Sequence, residues 1–365
     1  MILLAEPLLE WYAQYGRHDL PWRQTRDSYR LWLAEIMLQQ TQVESVKPYY
    51  QRFLEVLPSW EALANAPQDQ VLALWSGLGY YARARNAQRT AQMVLREFGG
   101  FFPDNLVAAE SLPGVGRSTA AAILASAFDQ QQAILDANAR RVLIRTQAIQ
   151  TDPKATATLR QLWSIATLQT PPKAHDYNQA IQDLGAMICT PRRPRCEMCP
   201  LSSICRAYDQ GLTDCLPLVS GKTPKPQRCA FFLLIEDEAG QILLEKRPNS
   251  GIWGGLWCLP QVNHLTPTSC KNVEEDLVDS PILHAQMEQI CLQDFGLSVE
   301  VQTIKPVQRH VFTHFQLYFR CVNLRVRENR VADQAIPAGH WYLLEDALKT
   351  GLPSPIRQIL HAQRA

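Results

Sequence analysis

From residue 6 to about residue 208, apolar side chains recur three and four positions apart, as at Val71, Leu74 and Leu78, or Trp32, Ile36 and Val43. Such spacing lines one face of a 3.6-residue helix, so the stretch predicts helix after helix. Pairs such as Ala66-Pro67 and Gly99-Gly100 interrupt it and predict short connections. The opening residues read as the first turns of an amphipathic helix. Glu6 and Glu10 break their apolar run and no basic segment precedes it, which does not fit a secretory signal. Between 211 and 228, prolines and lysines replace the periodicity and predict a linker. Beyond it the period shortens. Residues 230–236 form an apolar run, 237–240 a turn and 241–247 a second strand, while 307–324 is a strand-like run of β-branched and aromatic residues. Helical spacing returns at 283–294 and 356–362. The pattern predicts an all-α domain over 1–210, a linker over 211–228 and an α+β domain over 229–365.

A length of 365 residues suits two cores better than one, and 46% hydrophobic with 19% charged residues argues against disorder. The net charge of +1 excludes a bulk polycation, so any grip on nucleic acid must come from local basic patches. No apolar run approaches the ~20 residues of a spanning helix, and no membrane partner is expected. Nothing demands more than a monomer. The cytoplasm, at the nucleoid, is the expected compartment.

Cys189, Cys196, Cys199 and Cys205 crowd into one short loop with the spacing C-x6-C-x2-C-x5-C. Four thiols so placed converge on a metal centre or on two disulfides, and the compartment disfavours disulfides. Zinc and an iron–sulfur cluster both accept four thiolates; the long x6 and x5 gaps fit a [4Fe–4S] cluster better than zinc. Arg192, Arg193 and Arg195 between the first two cysteines offer a basic knuckle for phosphates, or else a solvated loop.

Residues 112–122 read LPGVGRSTAAA. The turn at Gly114, Val115 and Gly116 before a helix allows close backbone approach, and the helix N-terminus attracts an anion such as a DNA phosphate. With the preceding helix predicted at 105–111, this reads as helix-hairpin-helix. Glu35 lies among apolar residues in RLWLAEIMLQQTQV, with Gln39 and Gln42 expected on its helical face. A carboxyl in that setting holds its proton to higher pH and can act as an acid. Asp136 reads as a helix N-cap, eighteen residues after Ser118, so that one helix and a short return bring it back beside the hairpin. Arg140, Arg141 and Arg145 follow it, either as DNA contacts or solvated. An acid paired with an ionised carboxylate suits cleavage of a glycosidic bond. The segment GLGYYARARN, 77–86, combines glycines, aromatic faces and basic side chains that could open a duplex around an extruded nucleotide, or pack in a helical core.

Taken in order, WLAEIMLQQTQV, LWSGLGYYARARN, LPGVGRST, ILDANARRVL, NQAIQDLGAMICT and the cysteine loop resemble the A/G-specific adenine DNA glycosylase family, within the endonuclease III superfamily. The resemblance is strong over 6–208 and weaker beyond. It implies a helix-hairpin-helix glycosylase domain with a [4Fe–4S] cluster and a Nudix-like domain, acting on double-stranded DNA that holds adenine opposite 8-oxoguanine or guanine. Under it, Glu35 matches the acid that protonates adenine N7. Asp136 matches the carboxylate that stabilises or captures the sugar cation, and Asn138 its orienting partner. Leu38, Gln40, Thr41, Leu78 and Tyr80 match residues lining the base pocket or wedging the lesion pair, and the four cysteines match cluster ligands. Ser118 stands where bifunctional relatives carry a Schiff-base lysine, which implies a monofunctional enzyme that leaves an abasic site. GIWGGLWCLP, 251–260, resembles the family's Nudix-like module, yet 282–297 lacks the acidic R-E-x-x-E-E pattern. Lesion recognition without diphosphate hydrolysis is the expectation. Phe312, Thr313 and His314 resemble the F-S-H loop that contacts 8-oxoguanine, with Thr in place of Ser. The competing readings are a glycosylase/lyase for oxidised pyrimidines, a non-enzymatic cluster protein that binds DNA, and a Nudix hydrolase with a helical appendage.

Overall fold

A computed structural model describes residues 3–218, 221, 224–262, 280–327 and 339–363. The chain divides into two compact units, Met1–Asn65 with Asn86–Lys222, and Ala66–Arg85 with Thr223–Ala365. The sequence pattern assigned 66–85 to the helical part; packing groups it with the C-terminal unit. Among the described residues no helix is long and apolar enough to cross a membrane.

The first unit is helical. Leu4, Leu8 and Trp11 bury one face of helix Ala5–Tyr15 in a core shared with helices Ala137–Thr146 and Ala174–Met187, through Val142, Leu143, Ile181 and Leu184. Helix Ser28–Leu38 opens on Asp27, whose carboxylate accepts from Arg30 N at 2.8 Å. Asp and Asn at this position satisfy amides the helix itself leaves unpaired. Seven of its eleven residues are buried, and its Trp32 ring packs 4.5 Å from Trp60. The helix ends at Leu38, with Gln40 in the left-handed region (φ 58°), and Val43 starts the next helix, Val43–Val56. Gln42 therefore does not continue the Glu35 helix as the spacing predicts; it precedes the following one. Helices Leu106–Glu110 and Arg117–Phe128 flank the glycine turn. The start of the predicted linker packs on this unit: Leu216 is buried in its core.

The second unit holds a mixed sheet. Its strands are β1 (Gln227–Glu236), β2 (Gln241–Lys246), β3 (Trp257–Cys258), β4 (Gln261–Val262), β5 (Val299–Ile304), β6 (Gln308–Val311), β7 (Gln316–Val326) and β8 (Gly339–Leu343). The order is β3-β2-β1-β7-β5, with β4 on β1, β6 on β7 and β8 on β2. The central β1/β7 pair is parallel from Gln227↔Gln316 to Glu236↔Arg325, and the other pairs are antiparallel. Helix Pro281–Phe295 buries Leu283, Met287, Ile290 and Cys291 against Phe231, Val301 and Val322. The run at 307–324 is not one strand. It folds back at 312–315, where Phe312 N donates to Phe315 O at 2.9 Å, leaving Thr313 and His314 exposed at the tip.

Candidate active site

Glu35 sits on the last turns of its helix, flanked by the buried Ala34 and Ile36, with its carboxyl at the wall of a cavity of about 780 Å3. Volumes of this size hold a small organic ligand. Burial first and the Asp136 charge second, opposed by Arg23, push the Glu35 pKa up from an ordinary 4.5 to about 7. Glu35 therefore keeps its proton into the neutral range.

Asp136 lies on the same cavity. It caps helix Ala137–Thr146, its Oδ1 accepting from Ala139 N at 2.8 Å. Burial raises its pKa as well, but the Ala139 and Asn138 amides, the Arg141 charge and the Gln182 side chain all favour the anion. Of the coupled pair, Glu35 takes the proton and Asp136 holds the charge. Ser118, on the first turn after the hairpin, accepts from Leu135 N at 3.0 Å and so ties that turn to the segment leading into Asp136. Asn138 packs where the chain of Gly185 passes. A Cβ at 185 would lie 2.6 Å from Asn138 Cβ, a contact only glycine avoids. Arg141 Nη2 donates to Asn138 Oδ1 at 2.8 Å and to Gly185 O at 2.6 Å.

Leu38, Gln40 and Thr41 line the same cavity, together with Gln39 and Gln42. The lining residues not singled out from the sequence include two glutamines and two arginines. Gln179 and Gln182 project from helix Ala174–Met187, three apart and hence on one face; the signal was present in NQAIQD as two glutamines at helical spacing. Arg17 and Arg23 also line it, clamped by Asp183, which is fully buried. Arg23 Nη1 and Nη2 donate to Asp183 at 2.6 and 2.9 Å, and Arg17 Nε donates at 2.7 Å. Burial alone would raise the Asp183 pKa; the two guanidiniums hold it below the usual value. No local pattern announces a carboxylate that pairs with arginines 160 residues away.

Leu78 and Tyr80 lie in the second unit. There Tyr80, with its ring 46% exposed, has its hydroxyl 3.4 Å from Thr313 Oγ1. Phe312 stacks on Phe315 at 4.3 Å, and His314 lies beside it, exposed. The structure thus joins the 77–81 segment to the 312–314 loop.

In the hairpin Gly114 takes a left-handed φ of 78° and its carbonyl accepts from Gln39 Nε2 at 3.1 Å. Val115 is buried and its N–H already donates to Leu112 O. Its amide is spent, which leaves Gly116 and the first turn of helix Arg117–Phe128 to meet an anion. Arg192, Arg193 and Arg195 are exposed on the cysteine loop. Arg141 and Arg145 are neither solvated nor free for DNA. Both are buried and bond the loop backbone: Arg141 Nε to Cys189 O at 2.6 Å, and Arg145 Nη1 to Thr190 O at 2.7 Å and Cys189 Sγ at 3.3 Å.

Cys189, Cys196, Cys199 and Cys205 are free thiols lining one enclosed space. Among the described residues no group of three or more His, Cys, Asp or Glu closes on a single metal ion. Four thiols on one space supply the ligand set of an iron–sulfur cluster.

The Glu35 carboxyl makes fold stability pH-dependent. Its folded pKa lies above its unfolded value, so its stabilising contribution is complete below about 4.5 and is lost as pH rises through about 7. Glu35→Gln cannot ionise. Its melting temperature is expected to exceed wild type at pH 8, with the gap closing towards pH 5. A gap that does not change with pH would remove the assigned shift.

Residues 33–167 match the family described as HhH-GPD superfamily base excision DNA repair protein, 189–205 the iron-sulfur binding domain of endonuclease III, and 230–362 the NUDIX domain. The helical unit is a base-excision repair domain carrying an iron–sulfur cluster on its four cysteines. A thermostable thymine-DNA glycosylase shares 32% identity and a TM-score of 0.53, covering 56% of this chain and 95% of its own. A trapped endonuclease III–DNA covalent intermediate shares the fold, at 20% identity and a TM-score of 0.50, over 57% of this chain and 95% of its own. Adenine DNA glycosylase of Buchnera aphidicola subsp. Baizongia pistaciae is 34% identical over 98% of this chain and 96% of its own. The Homo sapiens adenine DNA glycosylase is 34% identical over 95% of this chain and 71% of its own. The chain belongs to the adenine DNA glycosylase family. It is an enzyme that binds DNA and removes adenine by breaking an N-glycosyl bond.

Proposed function

We propose that this enzyme removes adenine mispaired with 8-oxoguanine or guanine in duplex DNA, hydrolytically and without cutting the strand, so that an abasic site remains. The observation that carries the reading is the single cavity lined by both Glu35, whose proton burial holds to higher pH, and Asp136, whose carboxylate accepts from Ala139 N. An extruded adenosine enters it. Glu35 gives its proton to adenine N7, the C1′–N9 bond breaks with its electron pair going to the base, and neutral adenine leaves. Asp136 faces the positive sugar that results and stabilises it or closes on C1′ as an ester. Water then adds at C1′ and its proton returns to Glu35. Asn138, fixed by Arg141, orients Asp136. The Gln179 amide supplies a donor and an acceptor for the polar atoms of the base other than N7, while the Gln182 side chain hydrogen-bonds Asp136.

Ser118 supports the monofunctional reading. Its hydroxyl is engaged with Leu135 N, and no amine stands at that position to form an imine. Leu38, Gln40 and Thr41 meet the base and its surroundings, while Leu78, Tyr80, Phe312, Thr313 and His314 meet the opposite base. Gly114, Gly116, Arg192, Arg193 and Arg195 take phosphates. The cluster, when bound, fixes the loop that carries these arginines. Helix Pro281–Phe295 has only Glu288 and Asp294 as acids, and Glu288 is paired with Arg327 at 3.1 Å, which favours recognition over Mg²⁺-dependent diphosphate hydrolysis. The enzyme works as a monomer in the cytoplasm, where reduced thiolates persist.

The test is a single-turnover reaction on duplexes with adenine opposite 8-oxoguanine, guanine or thymine, developed with and without alkali. Adenine release opposite the first two, strand breaks only after alkali, and no DNA adduct on borohydride reduction are expected. Release opposite thymine at equal rate, or a borohydride-trapped adduct, would contradict the reading.

A further inference from the structure

Segment 66–85 is held on the second unit by a node at Ser76, a residue of the LWSGLGYYARARN stretch for which the sequence suggests no role of its own. Ser76 is 6% exposed. Its hydroxyl donates to Leu352 O at 2.7 Å and accepts from Leu352 N at 3.3 Å and from Arg357 Nη2 at 3.1 Å. Arg357, on helix Ser354–His361, spends its other donors on Leu348 O at 2.9 Å and Thr350 O at 3.0 Å, so the 348–352 turn is closed by the same guanidinium that reaches Ser76. Tyr81 OH donates to Leu352 O at 3.1 Å and in turn accepts from Gly77 N at 3.2 Å. Both ends of the 77–81 loop are therefore pinned to one carbonyl, 271 and 276 positions away. Leu72 packs so closely under Gly351 that a Cβ there would lie 3.0 Å from it. Between the pins Tyr80 takes a φ of 49°, a conformation that costs an L-residue energy and persists only where surroundings impose it. The outcome is the Tyr80 hydroxyl at Thr313.

We propose that Ser76 and Arg357 are positioning residues: their clasp on the 348–352 turn presets the 77–81 loop against Thr313, so that Tyr80 and Thr313 meet the base opposite the adenine as one surface. Neither residue touches DNA in this account. A half-buried guanidinium on three oxygens is a rigid support, since each donor lost leaves an unsatisfied partner. The proposal rests on the partner-base reading above and concerns how its selectivity is held, not the chemistry of excision.

The experiment compares full-length wild type, Ser76→Ala, Arg357→Ala and Arg357→Lys, each with its cluster. Two quantities are read: hydrogen exchange at residues 76–81 without DNA, and the ratio of single-turnover adenine excision opposite 8-oxoguanine to that opposite guanine. The ratio does not depend on the active fraction, so partial unfolding alone does not move it. Ser76→Ala and Arg357→Ala are expected to speed exchange at 76–81 about tenfold and to lower the ratio about tenfold, with β1 and β7 exchange unchanged. Arg357→Lys, which keeps the charge but not the fork, is expected to fall between. Where Arg357→Ala does not fold, Ser76→Ala and Arg357→Lys carry the test. Unchanged exchange, or faster exchange with an unchanged ratio, overturns the proposal while a wild-type preference for 8-oxoguanine leaves the substrate reading intact. Wild type that excises adenine with no such preference overturns the proposal alone, whereas release opposite thymine at equal rate overturns the substrate reading as well.

Discussion

Asp136→Asn lowers single-turnover adenine excision by about 10³-fold while duplex binding and melting temperature stay near wild type. Asparagine is isosteric and caps a helix as well as aspartate does, so the bond to Ala139 N survives. What disappears is the negative charge facing the developing sugar cation, a type of contribution typically worth 10²–10³ or more in rate. A binding assay and a melt beside the kinetics check the prediction. A rate within tenfold of wild type would take Asp136 out of the mechanism. A variant that fails to melt cooperatively would instead show that the charge serves the fold.

Glu35→Gln removes the proton donor without changing the size of the side chain. General-acid catalysis typically supplies 10²–10⁴-fold; of the other two carboxyls on the lining, Asp136 accepts from the Ala139 amide and Glu44 is paired with Lys47 at 2.9 Å. Excision is expected to fall by about 10³-fold at pH 7. The charge network around the cavity shapes the acid: burial raises its pKa, and Arg23, locked by Asp183, keeps the rise within the neutral range. Glu44 and Arg17 are the remaining charged residues on the lining.

Much of this arrangement is readable along the chain, for reasons that are local. A carboxyl amid apolar residues at helical spacing and an Asp opening a helix are patterns within one or two turns, and the structure places Glu35 and Asp136 on one cavity. The cysteine spacing is similarly local. Features set by distant contacts are not readable. Arg141 and Arg145 look like solvated basic residues, but the carbonyls of the cysteine loop and of Gly185 satisfy them in the interior. The run at 307–324 reads as one strand because Thr313 and His314 are weak turn signals; the fold-back becomes visible only when β6 and β7 pair. Gln42 keeps the helical period across a break the sequence does not mark. Segment 66–85 looks like more of the helical domain because its own apolar period is helical, whereas its partners Leu352 and Arg357 come some 270 residues later. The 312–314 loop and the 77–81 segment are likewise separate in the sequence, yet Tyr80 and Thr313 lie within hydrogen-bond distance.

The account stands on a carboxyl that still carries its proton at neutral pH beside an ionised partner. Its most direct test is the pH dependence of single-turnover adenine excision by wild type and Glu35→Gln, measured with saturating enzyme between pH 5 and 9. Wild-type excision should be nearly level below pH 7 and fall about tenfold per unit above it, as Glu35 loses its proton, and the slow residual reaction of Glu35→Gln should lack that break. A wild-type rate that holds level to pH 9, or the same break near pH 7 in Glu35→Gln, would contradict it.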